Sequence, residues 1–348
     1  MFRNDATARA FTSAMAKITY HDDSAPGITR KKMRHGWGYF DASGARITDR
    51  DEIDRLNAIG LPPAYRDAWF CPKPNGHIQA VGWDEKGRKQ YRYHTGFRET
   101  QEAAKYEGCA AFGQSLPKLR AKVSADMALP GVSREKAVAA VVRLLDLGHI
   151  RVGNEGYAKA NNSFGATTLR NRHVKVAGTS LKLKFRAKSG KERVMTITDK
   201  TLTRFVKKCQ DLPGQHLFQW LDAEGAPHPV SSSDVNEYIR EATGGDFTAK
   251  HFRTWAASVL AFQTLATARA DIGLKTLLAP VSEALGNTPA IARKSYVHPA
   301  LLALVKTGQA DFRATLRLPR STHYLSRAER GLIAFLEPVA PAAAQQAA

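Results

Sequence analysis

Four residues of this 348-residue chain carry side chains suited to chemistry and stand in conspicuous local settings. Arg151 lies in GHIRVGNEGYAKAN, just after an apolar helical run, and Lys188 sits at the tip of FRAKSGK. Arg253 falls in KHFRTWAASVLAF near the start of a helical stretch, and Tyr296 lies in LGNTPAIARKSYVHPAL, ten residues beyond Gly286. A guanidinium stays charged and can grip two oxygens at once. A lysine amine can pass a proton. A phenol, with an ordinary pKa of about 10, attacks only where its surroundings neutralise the charge that develops. Taken singly, each has an ordinary reading as a surface charge, a solvated turn or a packing residue.

Other chemistries lack their signatures. There is no HExxH and no Asp-rich cluster, Gly190-Lys191 lacks the upstream glycine of a phosphate-binding loop, and GWG at Gly36 to Gly38 lacks the rest of a dinucleotide fingerprint. No metal and no nucleotide cofactor is therefore expected. Cys71, Cys109 and Cys209 are far apart and form no CxxC pair, which argues against a zinc ribbon or disulfide scaffold and suits a reducing compartment. Lys and Arg number 52 against 32 Asp and Glu, a formal charge of +20 that attracts polyanions, nucleic acid foremost. No run of about 18 apolar residues is present, so no transmembrane helix is expected.

The elements that must position these residues fall into two regions, and the length favours two domains. Residues 1–26 have no secretory apolar core and read as a flexible lead-in. Residues 27–98 read as a small β-rich domain. GWGYFD and ARITD flank Ala42-Ser43-Gly44, AWFCP and HIQAVGW flank Pro74-Asn75-Gly76, and QYRYH follows Asp84 to Gly87. One short helix is expected from Asp51 to Leu61. Residues 99–336 read as mainly helical: Leu116, Leu119, Val123 and Met127 share a face, and Ser133 caps a second helix with Val138, Val141, Val142 and Leu145 on its buried stripe. LKLKFRAKSGKERVMTI alternates around Lys188-Ser189-Gly190 and predicts a hairpin inside this domain, before helical patterns resume through Val206, Val235 to Ile239 and Phe247 to Ala268. Residues 337–348, ending in AAAQQAA, read as a disordered tail.

Read in order, RVGNEGY, TLRNRHV, FRAK, KHFRTW, and GNTP with its tyrosine ten residues beyond Gly286, resemble the catalytic segments of the poxvirus-like type IB DNA topoisomerases, including their bacterial members. LPPAY and GWDEKGRKQYRYH resemble the hairpin with which those enzymes grip duplex DNA. The resemblance runs from roughly Gly27 to Val305. Two positions depart from it: Ala187 stands where F-x-G-K has glycine, and Asn287 where poxvirus members carry histidine. Choosing Lys188 over Lys191 rests on its distance of three residues from Phe185.

The resemblance implies an α+β fold, a small β-rich N-terminal domain and a larger mainly α-helical catalytic domain containing a β-hairpin or small sheet, forming a C-shaped clamp around duplex DNA. It implies Tyr296 as nucleophile, Arg151, Arg253 and Asn287 as donors to the phosphate, and Lys188 as general acid. Lys86, Arg88, Gln90, Tyr91 and Tyr93, with Gly153, Tyr157 and Lys250, are the expected DNA contacts. Alternation puts Tyr91 and Tyr93 on one face, where packing on the domain core is the competing reading. The expected protein is an ATP-independent monomer without cofactor in a bacterial cytoplasm, at the nucleoid. Tyrosine recombinases use the same residue types but commonly place histidine where this chain has Lys250. A non-catalytic DNA-packaging protein would explain the charge but not the ordered motifs.

Overall fold

The computed structural model describes residues 17–337, which form two compact units divided between Lys105 and Tyr106. The expected tail lies outside the described residues apart from Glu337, and so does most of the expected lead-in. Within that lead-in, Thr19 donates through its N–H to Asn75 O and accepts from His77 N, at 3.0 and 2.8 Å.

The first unit is an antiparallel five-stranded sheet, order β2-β1-β3-β4-β5, with β1 Ile28–Met33, β2 Gly36–Phe40, β3 Arg66–Phe70, β4 Ile78–Trp83 and β5 Lys89–Tyr93. Helix α1, Arg50–Ala58, is capped by Asp49, and its Leu56 packs with Ile28, Tyr39, Phe70 and Ala80. The strand expected at ARITD does not form; only Arg46 bridges to Phe40. Asp41 folds the chain back on itself by accepting from Ser43 N and Ala45 N, and Asp49 begins the next helix, so too little chain remains for a strand. The partner of β2 is instead β1, whose sequence ITRKKM lacks apolar alternation.

Helix α2, Thr95–Ala128, starts earlier than the pattern suggested and carries Pro117 within it; the division between units falls inside it. In the second unit, helix α3, Arg134–Gly148, is the centre of the core: Val138, Val141, Val142, Leu144 and Leu145 are all buried. Ser133 caps it as its sequence predicts, accepting from Lys136 N. The expected hairpin is present as β7, Ser180–Arg186, and β8, Glu192–Thr198, extended to three strands by β6, Val174–Ala177, in the order β6-β7-β8. Leu181, Leu183 and Phe185 face the core while Lys182, Lys184 and Arg186 face outward, the period-2 pattern of a half-buried sheet.

The remaining helices wrap this centre. They are α4, Glu155–Asn161; α5, Lys200–Gln210; α6, Ser232–Thr243; α7, Ala249–Thr267; α8, Leu274–Leu285; α9, Pro289–Ser295; α10, Pro299–Leu304; α11, Gln309–Thr315; and α12, Arg327–Leu336. A two-stranded ribbon, β9 Gln219–Leu221 and β10 Pro227–Pro229, lies before α6.

An ionic network ties four of these helices. Arg120 of α2 makes two 2.8 Å bonds to the Asp146 carboxylate of α3 and one to Glu329 of α12, which also accepts from Trp255 of α7 at 3.2 Å. Burial alone would raise the Glu329 carboxyl, but Arg120 and the Ser326 cap hold it below its ordinary value. Removing the shared cation leaves two buried carboxylates uncompensated. Arg120→Leu should therefore cost about 3–5 kcal/mol of unfolding free energy, read by urea denaturation of wild type and variant at neutral pH.

Candidate active site

The site is assembled around Arg253, on the second turn of α7 and only 4% exposed. A charge so deeply buried needs hydrogen-bonding partners. Arg253 Nη1 donates to the carbonyl of His149, and Nη2 donates to that of Leu285 at 3.2 Å. Both acceptors stand at helix C-termini, where unsatisfied carbonyls and the helix dipole favour a cation. His149 ends α3 in the left-handed region (φ 51°), and Leu285 is the last residue of α8, followed by Gly286 at φ 64°.

Each held carbonyl lies two residues before another site residue. Arg151 follows His149, Asn287 follows Leu285, and Arg151 Nη2 donates to Asn287 Oδ1 at 3.3 Å. Using the amide oxygen in this way leaves its NH2 end to donate. The Arg151 loop is closed by backbone bonds, Ala166 N to Arg151 O at 2.8 Å and Thr167 N to Val152 O at 2.7 Å. Gly165 lies so close that a Cβ there would meet Arg151 O and Gly153 N at 2.6 Å, and Gly153 itself is at φ 102°. Gly153 is thus a backbone-packing position.

Tyr296 ends the short helix α9, which starts at the Thr288 cap with Pro289 in its first turn. The Arg253 guanidinium carbon is 4.8 Å from the Tyr296 ring centroid. Burial by itself would raise the phenol's pKa, but the charge of Arg253 and a hydrogen bond with it, the charge of Arg151, and a hydrogen bond with Asn287 together bring it below the ordinary value. Tyr296 is thus held among Arg253, Arg151 and Asn287, three of the four residues expected beside it.

Lys188 is exposed at the turn between β7 and β8, which closes through Ala187 N to Lys191 O at 2.7 Å and Gly190 N to Ala187 O at 3.1 Å. Ala187 is extended (φ −93°, ψ −174°), so this position needs no glycine; the left-handed residues are Ser189 and Gly190. Arg151, Lys188, Lys191, Arg253 and Asn287 line one open cleft of about 330 Å³. Both lysines of the turn reach this cleft. Arg193 of β8 lines it too, and sequence reasoning missed it: its Nη1 donates to Glu283 O at 2.8 Å and its Nη2 to Ala284 O, closing the end of α8. The available signal was a charge on the inward, otherwise apolar face of β8.

Of the expected DNA contacts in this unit, Tyr157 is 59% exposed on α4, and Lys250 is exposed one turn before Arg253. Glu155, which begins α4, accepts from Arg170 at 2.5 Å. In the first unit Lys86 is exposed, while Arg88 and Gln90 donate to Asp84, whose carboxyl is held down to about 2, chiefly by Arg88. Tyr91 and Tyr93 stack in the open, 39% and 42% exposed with centroids 5.8 Å apart, and are not core residues. Among the described residues no group of three or more His, Cys, Asp or Glu side chains is placed to hold a metal ion, and no helix is long and apolar enough to cross a membrane.

Comparison with known proteins places most of the chain among DNA topoisomerases. Residues 94–293 match the family model for the catalytic core of eukaryotic DNA topoisomerase I, and residues 36–84 that for the N-terminal domain of bacterial DNA topoisomerase IB. The DNA topoisomerase 1B of Acanthamoeba polyphaga mimivirus is 32% identical over 302 residues, 82% of this chain and 89% of that one. The DNA topoisomerase 1B of Vaccinia virus (strain Copenhagen) is 21% identical over 229 residues, 65% of this chain and 72% of that one. Among solved structures, a post-cleavage complex of the XerH site-specific recombinase aligns over 53% of this chain and 47% of that one, at TM-score 0.36 and 16% identity. On the match to the catalytic core and the mimivirus relative, the chain belongs to the type IB DNA topoisomerases, isomerases that cleave and religate DNA strands.

Proposed function

We propose that this enzyme relaxes supercoiled duplex DNA through a 3′-phosphotyrosyl intermediate formed by Tyr296. The observation that carries this reading is the Tyr296 phenol held against the buried Arg253 with its pKa brought below the ordinary value. The phenol gives its proton to water as its Oη bonds to phosphorus and the bond to the 5′-oxygen breaks. Arg151, Arg253 and the Asn287 amide donate to the non-bridging oxygens, where negative charge grows. The guanidinium groups supply the balancing positive charge in place of a divalent metal. Lys188, on an exposed turn at the rim of the same cleft, gives its proton to the departing 5′-oxygen. The tyrosyl link keeps the energy of the phosphodiester, so religation by the free 5′-hydroxyl needs no ATP. While the nick is open the downstream duplex turns and supercoils of either sign are lost.

In this reading the two units close around the duplex as a C-shaped clamp and act as a monomer. Lys86, Tyr91 and Tyr93 are exposed on the first unit, and Tyr157 and Lys250 on the second, as groove and phosphate contacts would require. Arg88 and Gln90 contribute by holding the turn around Asp84. The bacterial type of the N-terminal domain supports a bacterial nucleoid as the place of action.

Three measurements test the mechanism. Tyr296→Phe should bind DNA as wild type does, yet neither relax plasmid nor leave a denaturant-resistant protein–DNA adduct in EDTA; an adduct in that variant would move the nucleophile elsewhere. Lys188→Ala should slow cleavage of an ordinary strand but cut a 5′-bridging phosphorothiolate nearly normally, because a thiolate departs without a proton; equal slowing of both would remove the general-acid role. Asn287→Ala, losing one donor to the developing charge, should slow single-turnover cleavage by about 100–1000-fold. A wild-type rate would exclude that role.

A further inference from the structure

The hairpin that carries Lys188 is held at both strands. On β7, the carbonyl of Arg186 accepts from Phe164 N at 2.8 Å, which joins it to the segment packed on the Arg151 loop. On β8 the tie is made by the Arg193 side chain. Arg193 lies directly opposite Phe185 in the register, and the strands turn at Lys188 three residues beyond. Its guanidinium reaches out of the sheet to the last turn of α8, donating to the carbonyls of Glu283 and Ala284. The neighbouring carbonyl, that of Leu285, is the one held by Arg253. Gly286 is both left-handed and bare, and a Cβ there would stand 3.0 Å from Arg193 Nη1. The end of α8 is thus shared between two arginines, one facing the nucleophile and one anchoring the hairpin.

We infer that Arg193 is a positioning residue that sets where Lys188 stands relative to Arg253 and Asn287. The inference deepens the mechanism proposed above and rests on Lys188 acting as the general acid. The other polar links near the tip lie within the hairpin: Lys184 pairs with Glu192 at 3.3 Å, and Arg186 Nε donates to Gly190 O at 3.4 Å. Neither fixes the tip against another element. A lysine in place of Arg193 could satisfy one of the two carbonyls but not both in a planar fork. Loss of the fork would let the outer half of β8 swing and carry the ammonium away from the 5′-oxygen, while Arg151, Arg253, Asn287 and Tyr296 keep their own supports.

The test is single-turnover cleavage by the full-length protein of two matched duplexes, one unmodified and one with a 5′-bridging phosphorothiolate at the cleavage site. Arg193→Ala should slow the unmodified strand about 10–100-fold, the range expected when a catalytic group is displaced by about an ångström. The phosphorothiolate should be cut within about threefold of wild type. Because that substrate still requires Tyr296 and both catalytic arginines, its normal cleavage also reports a folded site. Arg193→Lys should recover part of the loss on the unmodified strand alone. Equal slowing of both substrates, or a wild-type rate on both, overturns the role. With Lys188→Ala run beside it, the two ideas separate. If Lys188→Ala is selective and Arg193→Ala is not, only the positioning role falls; if Lys188→Ala slows both alike, the general-acid reading falls and takes this role with it.

Discussion

The catalytic unit is organised by one buried cation that cannot be left without acceptors. Arg253 reaches the core of a helical domain, where an uncompensated charge would cost several kcal/mol. The chain meets that demand by bringing two helix ends to it, each with a carbonyl free of intrahelical partners. The left-handed residues His149 and Gly286 turn the chain sharply at those ends. Two residues beyond each held carbonyl come Arg151 and Asn287, already bonded to one another. A requirement of folding thereby places two of the groups that would receive a phosphate.

The same arrangement concentrates positive charge. Arg151, Lys188, Lys191, Arg193 and Arg253 line one cleft, and helix C-termini satisfy Arg253 and Arg193 through dipoles that carry no full negative charge. Two carboxylates, Glu192 and Glu283, also line the cleft against these five cations, and Glu192 pairs with Lys184 on the hairpin. The cluster is therefore left electrostatically unbalanced, a condition that an entering phosphodiester would relieve. This imbalance also acts on Tyr296, whose ionised form it favours in spite of burial. By contrast, Arg120 is matched by Asp146 and Glu329 in the helical core, where the purpose is cohesion and the charges cancel.

Much of this was legible in the chain because local signals agreed with the tertiary outcome. Ser133 before an apolar run gave the start of α3, and Leu181, Leu183 and Phe185 gave the inward face of β7. The motif residues Arg151, Arg253, Asn287 and Tyr296 come together around one point. What escaped depended on partners distant in sequence. Strand β1 has no apolar alternation because Arg30 uses its length to donate to Leu61 O and lie 4.3 Å over Trp37. ARITD has the alternation of a strand, but Asp41 turns the chain and β2 finds its partner in β1. Arg193 shows in the chain only as a charge on the inward face of β8, and its partners appear only where α8 ends beside it. The departure at Ala187 is met within the turn itself, as the adjoining Ser189-Gly190 suggests, because those two are its left-handed residues.

The contact between Gly153 and Gly165 bears on how such an enzyme could change its substrate preference. A Cβ on Gly165 would collide with backbone on both sides, so the two strands of chain touch there without any side chain between them. Between these points the polypeptide leaves and returns through α4, which carries the exposed Tyr157 and is steadied by the bond from Arg170 to Glu155. The segment is a lasso with a fixed neck and an exposed noose. Residues on the noose can be exchanged while the neck keeps Arg151 in place; in the mechanism proposed above, the surface that would touch DNA and the site that would cut it could then change independently.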